Sequence, residues 1–251
     1  MRRRSLVTGL LLAATLSSGK SLSSEGRRGP IPAASRQLLL VRAASWSAAW
    51  GTLQRYERDV HTEWAPTGAP IPINLGRNGL AWGRGLHASQ PSGPRKTEGD
   101  GKSPSGVFAL ERAFGGAPAL PEDAHGFPYL EATPSTYCVE DVRSERYNQI
   151  IDASEARRTS WEKWSPLKRA DGLFDWAVVV AQNQPESLRG AGSCVFLHIW
   201  RGPRQPTSGC TAMARSDVES VLRWLDPDKK PALVQLPEAE LQRLRDEWAL
   251  P

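Results

Sequence analysis

From residue 37 to residue 236, apolar side chains recur at alternate positions or in short unbroken runs, each closed by turn-forming residues such as Gly, Pro, Asn or Asp. Alternation places every second side chain on one face of an extended chain, and short apolar runs between turns suit buried strands. Strands are therefore predicted over 37–43, 51–58, 71–75, 106–110, 137–140, 148–152, 176–181, 194–200 and 232–236. Two segments carry the helical period instead. In 216–225, Val218, Val221, Leu222 and Leu225 share a face, and Ser216-Asp217-Val218-Glu219 has the form of a capping box. The second helical segment is 238–248, and no repeat of solenoid length runs through the chain. The pattern predicts one mainly β domain with a few short helices and long loops that are placed to carry function.

The first 35 residues follow neither period. Arg2, Arg3 and Arg4 precede an apolar run over 5–16 and the small residues Ser17, Ser18 and Gly19, the order found in a secretory signal. The run is too short to span a bilayer. We expect a signal peptide over 1–19, a flexible lead-in rich in Ser, Gly, Pro and Arg over 20–35, and a folded domain over 36–251. The protein is then exported, periplasmic or associated with the cell envelope, with no integral membrane segment after cleavage.

Composition narrows the class further. With 39% hydrophobic and 24% charged residues among 251, the chain is neither disordered nor membrane-embedded. Its 22 Gly and 20 Pro, against 5 Phe and 2 Met, favour many turns over long helices. The formal charge of +5 includes Arg2, Arg3 and Arg4, so the mature chain carries +2 and no nucleic-acid partner is expected. Of the three cysteines, Cys138, Cys194 and Cys210, an oxidising compartment leaves at least one unpaired.

One stretch pairs a thiol with an imidazole. The predicted strand ending in Cys194-Val195-Phe196-Leu197-His198-Ile199-Trp200 feeds a Gly- and Pro-rich loop, 201–207, and then Ser208-Gly209-Cys210. Such a loop lets the chain turn back so that Cys210 meets His198, the arrangement of a Cys-His dyad. A free thiol has a pKa of about 8.5, so a neighbouring base is needed to ionise it at neutral pH. Gly209 removes bulk beside the nucleophile and permits a turn whose N–H groups face a developing oxyanion.

Lys96-Thr97-Glu98-Gly99-Asp100-Gly101-Lys102-Ser103-Pro104-Ser105-Gly106-Val107-Phe108, followed by the strand-borne His198 and Ser208-Gly209-Cys210, resembles the catalytic domain of the L,D-transpeptidase (YkuD-type) family. Tyr137-Cys138-Val139-Glu140-Asp141, Tyr147-Asn148 and Val234-Gln235-Leu236-Pro237 extend the likeness from about residue 37 to 237. The resemblance implies a YkuD-like β-sandwich of mixed sheets and a cofactor-free cysteine acyltransferase acting on peptidoglycan stem peptides. It makes Cys210 the nucleophile, His198 the base, and the N–H groups of Gly209 and Cys210 the oxyanion hole. The product is a 3-3 cross-link with an amine acceptor or a trimmed stem with water. A non-catalytic cell-wall-binding module on the same fold is the rival from another class.

This chain departs from many members, having Ser208 where they carry histidine and Ala212 where they carry Arg or Asn. Donor-carboxylate binding then falls to Arg201 or Arg204, unless both are solvated loop arginines. Pairing Cys138 with Cys194 would leave Cys210 free, although three pairings are open. Of the tryptophans Trp82, Trp161, Trp164 and Trp200, the last is the best groove candidate, two residues past His198 on the same strand face.

Other motifs carry less. A phosphate loop at Gly101-Lys102-Ser103 fails because its first glycine position holds Lys96. The turn Glu98-Gly99-Asp100-Gly101 lacks EF-hand spacing and is expected to bond backbone N–H groups. His61, His87 and His125 lack metal-ligand spacing, no metal site is expected, and a monomer is expected.

Overall fold

The computed structural model describes residues 29–59, 62–153 and 162–251. The predicted signal peptide, most of the lead-in, His61 and Trp161 lie outside the described residues. In chain order the strands are β1 (Gln37–Ala43), β2 (Trp50–Glu57), β3 (Ala65–Asn74), β4 (Leu80–Trp82), β5 (Ser103–Gly115), β6 (Tyr129–Glu131) and β7 (Thr136–Val139). They continue with β8 (Ile150–Asp152), β9 (Trp164–Pro166), β10 (Ala177–Val180), β11 (Phe196–Ile199) and β12 (Thr211–Met213). Helix α1 (Arg215–Trp224), β13 (Ala232–Pro237) and α2 (Glu238–Trp248) complete the domain.

The fold is mainly β and its main sheet is mixed, with β1–β13 and β11–β12 parallel among antiparallel neighbours. It is not the two-layer sandwich expected. The order β10-β11-β12-β3-β2-β1-β13-β5 closes on itself because β10 also pairs with β5. Strand β5 makes closure possible by its length of 13 residues. Its Gly106–Ala109 half pairs with β13 and its Leu110–Phe114 half with β10. Closure leaves few unpaired edges. A small sheet, β8-β7-β9, packs beside this barrel.

Burial follows from the strand faces. In β1, Leu39 and Val41 enter the barrel interior with Phe108, Ile73, Leu197 and α1's Leu222, while Leu38 and Leu40 point outward beneath α2's Leu244 and Trp248. A strand covered on both faces reads as an unbroken apolar run, which is why the sequence there is Leu-Leu-Leu-Val. A third cluster, with Phe114, Phe196, Cys138 and Cys194, fills the space between barrel and small sheet.

Several details differ from expectation. Strands β4, β6, β9 and β12 span three residues each, too short for alternation to register. Helix α1 begins at Arg215 with Ala214 as its N-cap and no side-chain cap bond, so Ser216 is not the capping residue. Packing also reaches back into the predicted lead-in. Ile31 is buried against the α2 cluster, and Arg58 Nε donates to the Ser35 carbonyl at 2.8 Å. A single isoleucine among Gly and Pro shows no period.

A Cys138–Cys194 disulfide joins β7 to the residues that enter β11, across 56 positions, and leaves Cys210 free. Closing a loop of that length restricts the unfolded chain, so Cys138→Ser is expected to lower the unfolding free energy by about 2–4 kcal/mol in a urea titration. An unchanged midpoint and slope would show that the cross-link does not hold the small sheet.

Candidate active site

Strand β11 sorts its side chains by alternation. Leu197 and Ile199 enter the barrel core, while Phe196 and His198 face the small sheet. His198 is buried, and its Nδ1–H donates to the Ile199 carbonyl at 2.8 Å. That bond selects the tautomer in which Nε2 is the acceptor. Phe174 sets its ring edge-on to the imidazole at 5.0 Å. Burial lowers the His198 pKa to about 4, so the ring is neutral at physiological pH.

The chain then crosses over to β12, which lies parallel to β11 with His198 opposite Ala212 and Leu197 opposite Thr211. Cys210, two residues before Ala212, therefore comes to the His198 face. Asn74, wholly buried at the end of β3, fixes the crossover loop. Its Nδ2 donates to the Gly202 and Gln205 carbonyls at 2.8 and 3.0 Å, and its Oδ1 accepts from the Arg204 N–H at 3.0 Å. Nearer the thiol, the Thr207 hydroxyl donates to the Cys210 carbonyl at 2.6 Å and accepts the Gly209 N–H at 3.0 Å. The Ser103 hydroxyl donates to the same carbonyl at 2.9 Å. Gly209 has φ of 149°, and a side chain there would crowd the Lys102 carbonyl at 3.1 Å.

The Cys210 thiol lies 3.7 Å from the Cys194 carbonyl and donates to it. Burial pushes it up to about 11; Glu140 adds to that effect, while the Phe196 N–H and Lys96 act against it. The two groups are therefore a neutral thiol and a neutral imidazole, a pair suited to proton transfer as the sulfur attacks and not to a standing thiolate.

Both side chains line one cleft of about 560 Å³. Of the residues expected from sequence, Gly209, Ser208, Trp200 and Arg201 line it as well. Arg204 does not; its guanidinium lies over the Trp50 ring, 5.6 Å from the centroid. Trp82 and Trp164 are core residues. His87 accepts the Val107 N–H and packs on Trp82, Phe108 and Trp248, a structural role.

The cleft also holds charged groups that the sequence did not place in the site, among them Glu98, which bonds two hydroxyls, whereas Asp100 of the same turn accepts the expected backbone N–H groups. Arg169 stacks on Phe174 and grips Asp171, whose carboxylate also lies 3.6 Å from Arg201. The Arg169 bond holds Asp171 down to about 2. Glu98 accepts the Tyr147 hydroxyl and, at 2.8 Å, the Ser193 hydroxyl. Glu140 is held by Lys163 at 2.6 Å and Ser165 at 2.7 Å. Lys96, Glu98 and Glu140 were within reach of the sequence reading, since all three stand in the phrases that resemble the family. Arg169 carried no such signal.

A family description, the L,D-transpeptidase catalytic domain named YkuD, matches residues 52–234. The chain belongs to the L,D-transpeptidase family. No curated protein matches it. The matched span of this L,D-transpeptidase domain runs from β2 into β13, so it takes in His198, the crossover loop and Cys210. Membership supports an enzyme of the peptidoglycan-directed transpeptidase class.

The Thr207 hydroxyl ties the turn of this L,D-transpeptidase domain to the Cys210 backbone. Thr207→Val keeps the shape but leaves the Gly209 N–H without its acceptor and the Cys210 carbonyl with the Ser103 hydroxyl alone. It is expected to cost about 1–3 kcal/mol of stability, whereas Thr207→Ser stays close to wild type. Equal denaturation curves for Val and wild type would show that the hydroxyl clamp is not formed.

Proposed function

We propose that the chain is an exported cysteine acyltransferase that acts on peptidoglycan tetrapeptide stems. The observation that carries this reading is a free thiol, Cys210, on the same sheet face and in the same cleft as His198, whose Nε2 is left as acceptor by the Nδ1–H bond. The family membership supplies the substrate class. Nε2 takes the thiol proton as the sulfur adds to the carbonyl of the third stem residue. Negative charge collects on that carbonyl oxygen over the Gly209–Cys210 turn, where the Gly209 N–H exchanges Thr207 Oγ1 for the oxyanion. The C–N bond then breaks, His198 returns the proton to the departing D-alanine amine, and a thioester remains on Cys210. An acceptor amine resolves it to a 3-3 cross-link, or water to a shortened stem.

Arg201 and Arg169 are proposed to meet the donor's terminal carboxylate by bidentate pairing, in place of the Asp171 carboxylate they now share. Trp200 forms a flat wall of the groove for the stem. Export by the segment over 1–19 fits the Cys138–Cys194 cross-link, which is stable in an oxidising compartment. Among the described residues no helix is long and apolar enough to cross a membrane.

Product analysis tests the reading. Mass spectrometry of tetrapeptide muropeptides treated with the mature protein is expected to give 3-3 dimers, absent with Cys210→Ala. Loss of D-alanine without dimers assigns the hydrolytic outcome, and no change in either sample favours the binding module. The pH dependence is set by the two neutral groups. Wild-type kcat/KM is expected to hold level from neutral to mildly alkaline pH and to fall as His198 protonates at about 4. His198→Ala loses about 100-fold or more at neutral pH and recovers as the thiol ionises unaided toward 11. A loss of the same size at every pH counts against His198 as the base.

A further inference from the structure

The Lys96 side chain is 6% exposed, which is costly for an ammonium unless it is paired and put to use. Its Nζ donates to Asp100 Oδ1 at 2.5 Å and to the Thr97 carbonyl at 3.0 Å. Asp100 is committed elsewhere as well, since its carboxylate accepts the Thr97 and Lys102 N–H groups, both at 2.9 Å. The negative charge is thus spread over three donors on the turn side, and the ammonium is left facing the cleft that it lines.

Two glycines leave room for it. A side chain at Gly192 would begin 3.0 Å from Lys96 Cγ, and one at Gly209 would begin 4.0 Å from Nζ. The space that Gly209 leaves empty therefore separates the ammonium from the turn that carries Cys210.

We propose that Lys96 is an electrostatic positioning residue whose fixed charge stabilises the negative charge that builds on the Cys210 sulfur and on the oxyanion above Gly209. The role follows from the site's own arithmetic. His198 is neutral at rest, so it supplies no positive charge before the proton moves. The charged groups lining the cleft are Lys96 and Glu98 from the loop before β5, Glu140 after β7, Lys163 before β9, Arg169, and the exposed Arg77 and Arg201. Glu140 opposes ionisation of Cys210 and Lys96 favours it. Glu140 is paired with Lys163 and Ser165, which offsets its charge, whereas the Lys96 ammonium borders the space that Gly209 leaves open.

This inference rests on Cys210 being the nucleophile, yet it is testable without turnover. Cys210 is the free thiol, so its alkylation by neutral iodoacetamide and by anionic iodoacetate can be followed by intact mass. Altered access changes both rates alike; a lost positive charge slows the anion selectively. Lys96→Met is expected to lower the iodoacetate-to-iodoacetamide rate ratio about tenfold at constant pH, and Lys96→Arg to retain it in large part. Asp100→Asn removes the counter-charge and raises the ratio, an opposite displacement that decides the matter even if Lys96→Met does not fold. An unchanged ratio in a folded Lys96→Met, or in Asp100→Asn, overturns the proposal. Failure of Cys210→Ala to abolish turnover would instead refute the acyltransferase reading, leaving the alkylation result to stand by itself.

Discussion

The site depends on one pairing, the parallel alignment of β11 with β12. Parallel neighbours cannot be joined by a tight hairpin, so the chain leaves β11 after His198, travels through an irregular loop and re-enters alongside in the same direction. That detour brings Cys210 to the face already occupied by His198. An irregular loop would place the thiol loosely, and three polar side chains, those of Asn74 and Ser103 buried and that of Thr207 partly so, prevent this. Asn74 satisfies three loop backbone groups, and the hydroxyls of Thr207 and Ser103 both bond the Cys210 carbonyl. The residues that position the Cys210 thiol thus come from β3, from the start of β5 and from the loop itself, so a closed barrel holds it more firmly than a loop on an open surface would.

Electrostatics completes what the backbone begins. Burial holds both groups neutral in the resting protein, the imidazole at about 4 and the thiol at about 11. The cleft around them is anything but neutral. Its charges are arranged as bonded sets, Lys96 with Asp100, Glu140 with Lys163, and Asp171 with Arg169 and Arg201, each anchored on a different segment of the fold. Fixed charges of this kind act at little reorganisation cost when the transition state forms. The disulfide extends the same logic to the wall of the cleft, since it binds the small sheet that carries Glu140 to the entry of β11.

Periodicity made the long elements legible. Strand β1 stood out because burial on both faces demands an unbroken apolar run, and α2 because its buried face repeats at the helical period. Strand β12 was invisible because three residues show no pattern, although its pairing creates the site. Barrel closure was equally hidden. It depends on β5 pairing with two partners along its length, a long-range fact with no local signature. At the site, Cys210 and His198 were legible as a thiol and an imidazole joined by a loop, and Gly209 as the small residue between. Sequence could not separate Arg204 from Arg201, since two arginines three positions apart look alike, whereas in the structure Arg201 lines the cleft and Arg204, at a left-handed backbone position, lies over Trp50. Arg169 and Asn74 gave no sign, since each acts across the fold on residues remote in sequence.

The proposed acyl carrier is the Cys210 sulfur. Acid-quenched intact-mass analysis with a tetrapeptide donor, followed by peptide mapping, is the decisive measurement. An adduct equal to the donor less D-alanine is expected, confined to the peptide containing Cys210 and reversed by hydroxylamine. An adduct on another residue, or turnover with no thioester at Cys210 under rapid quench, contradicts it.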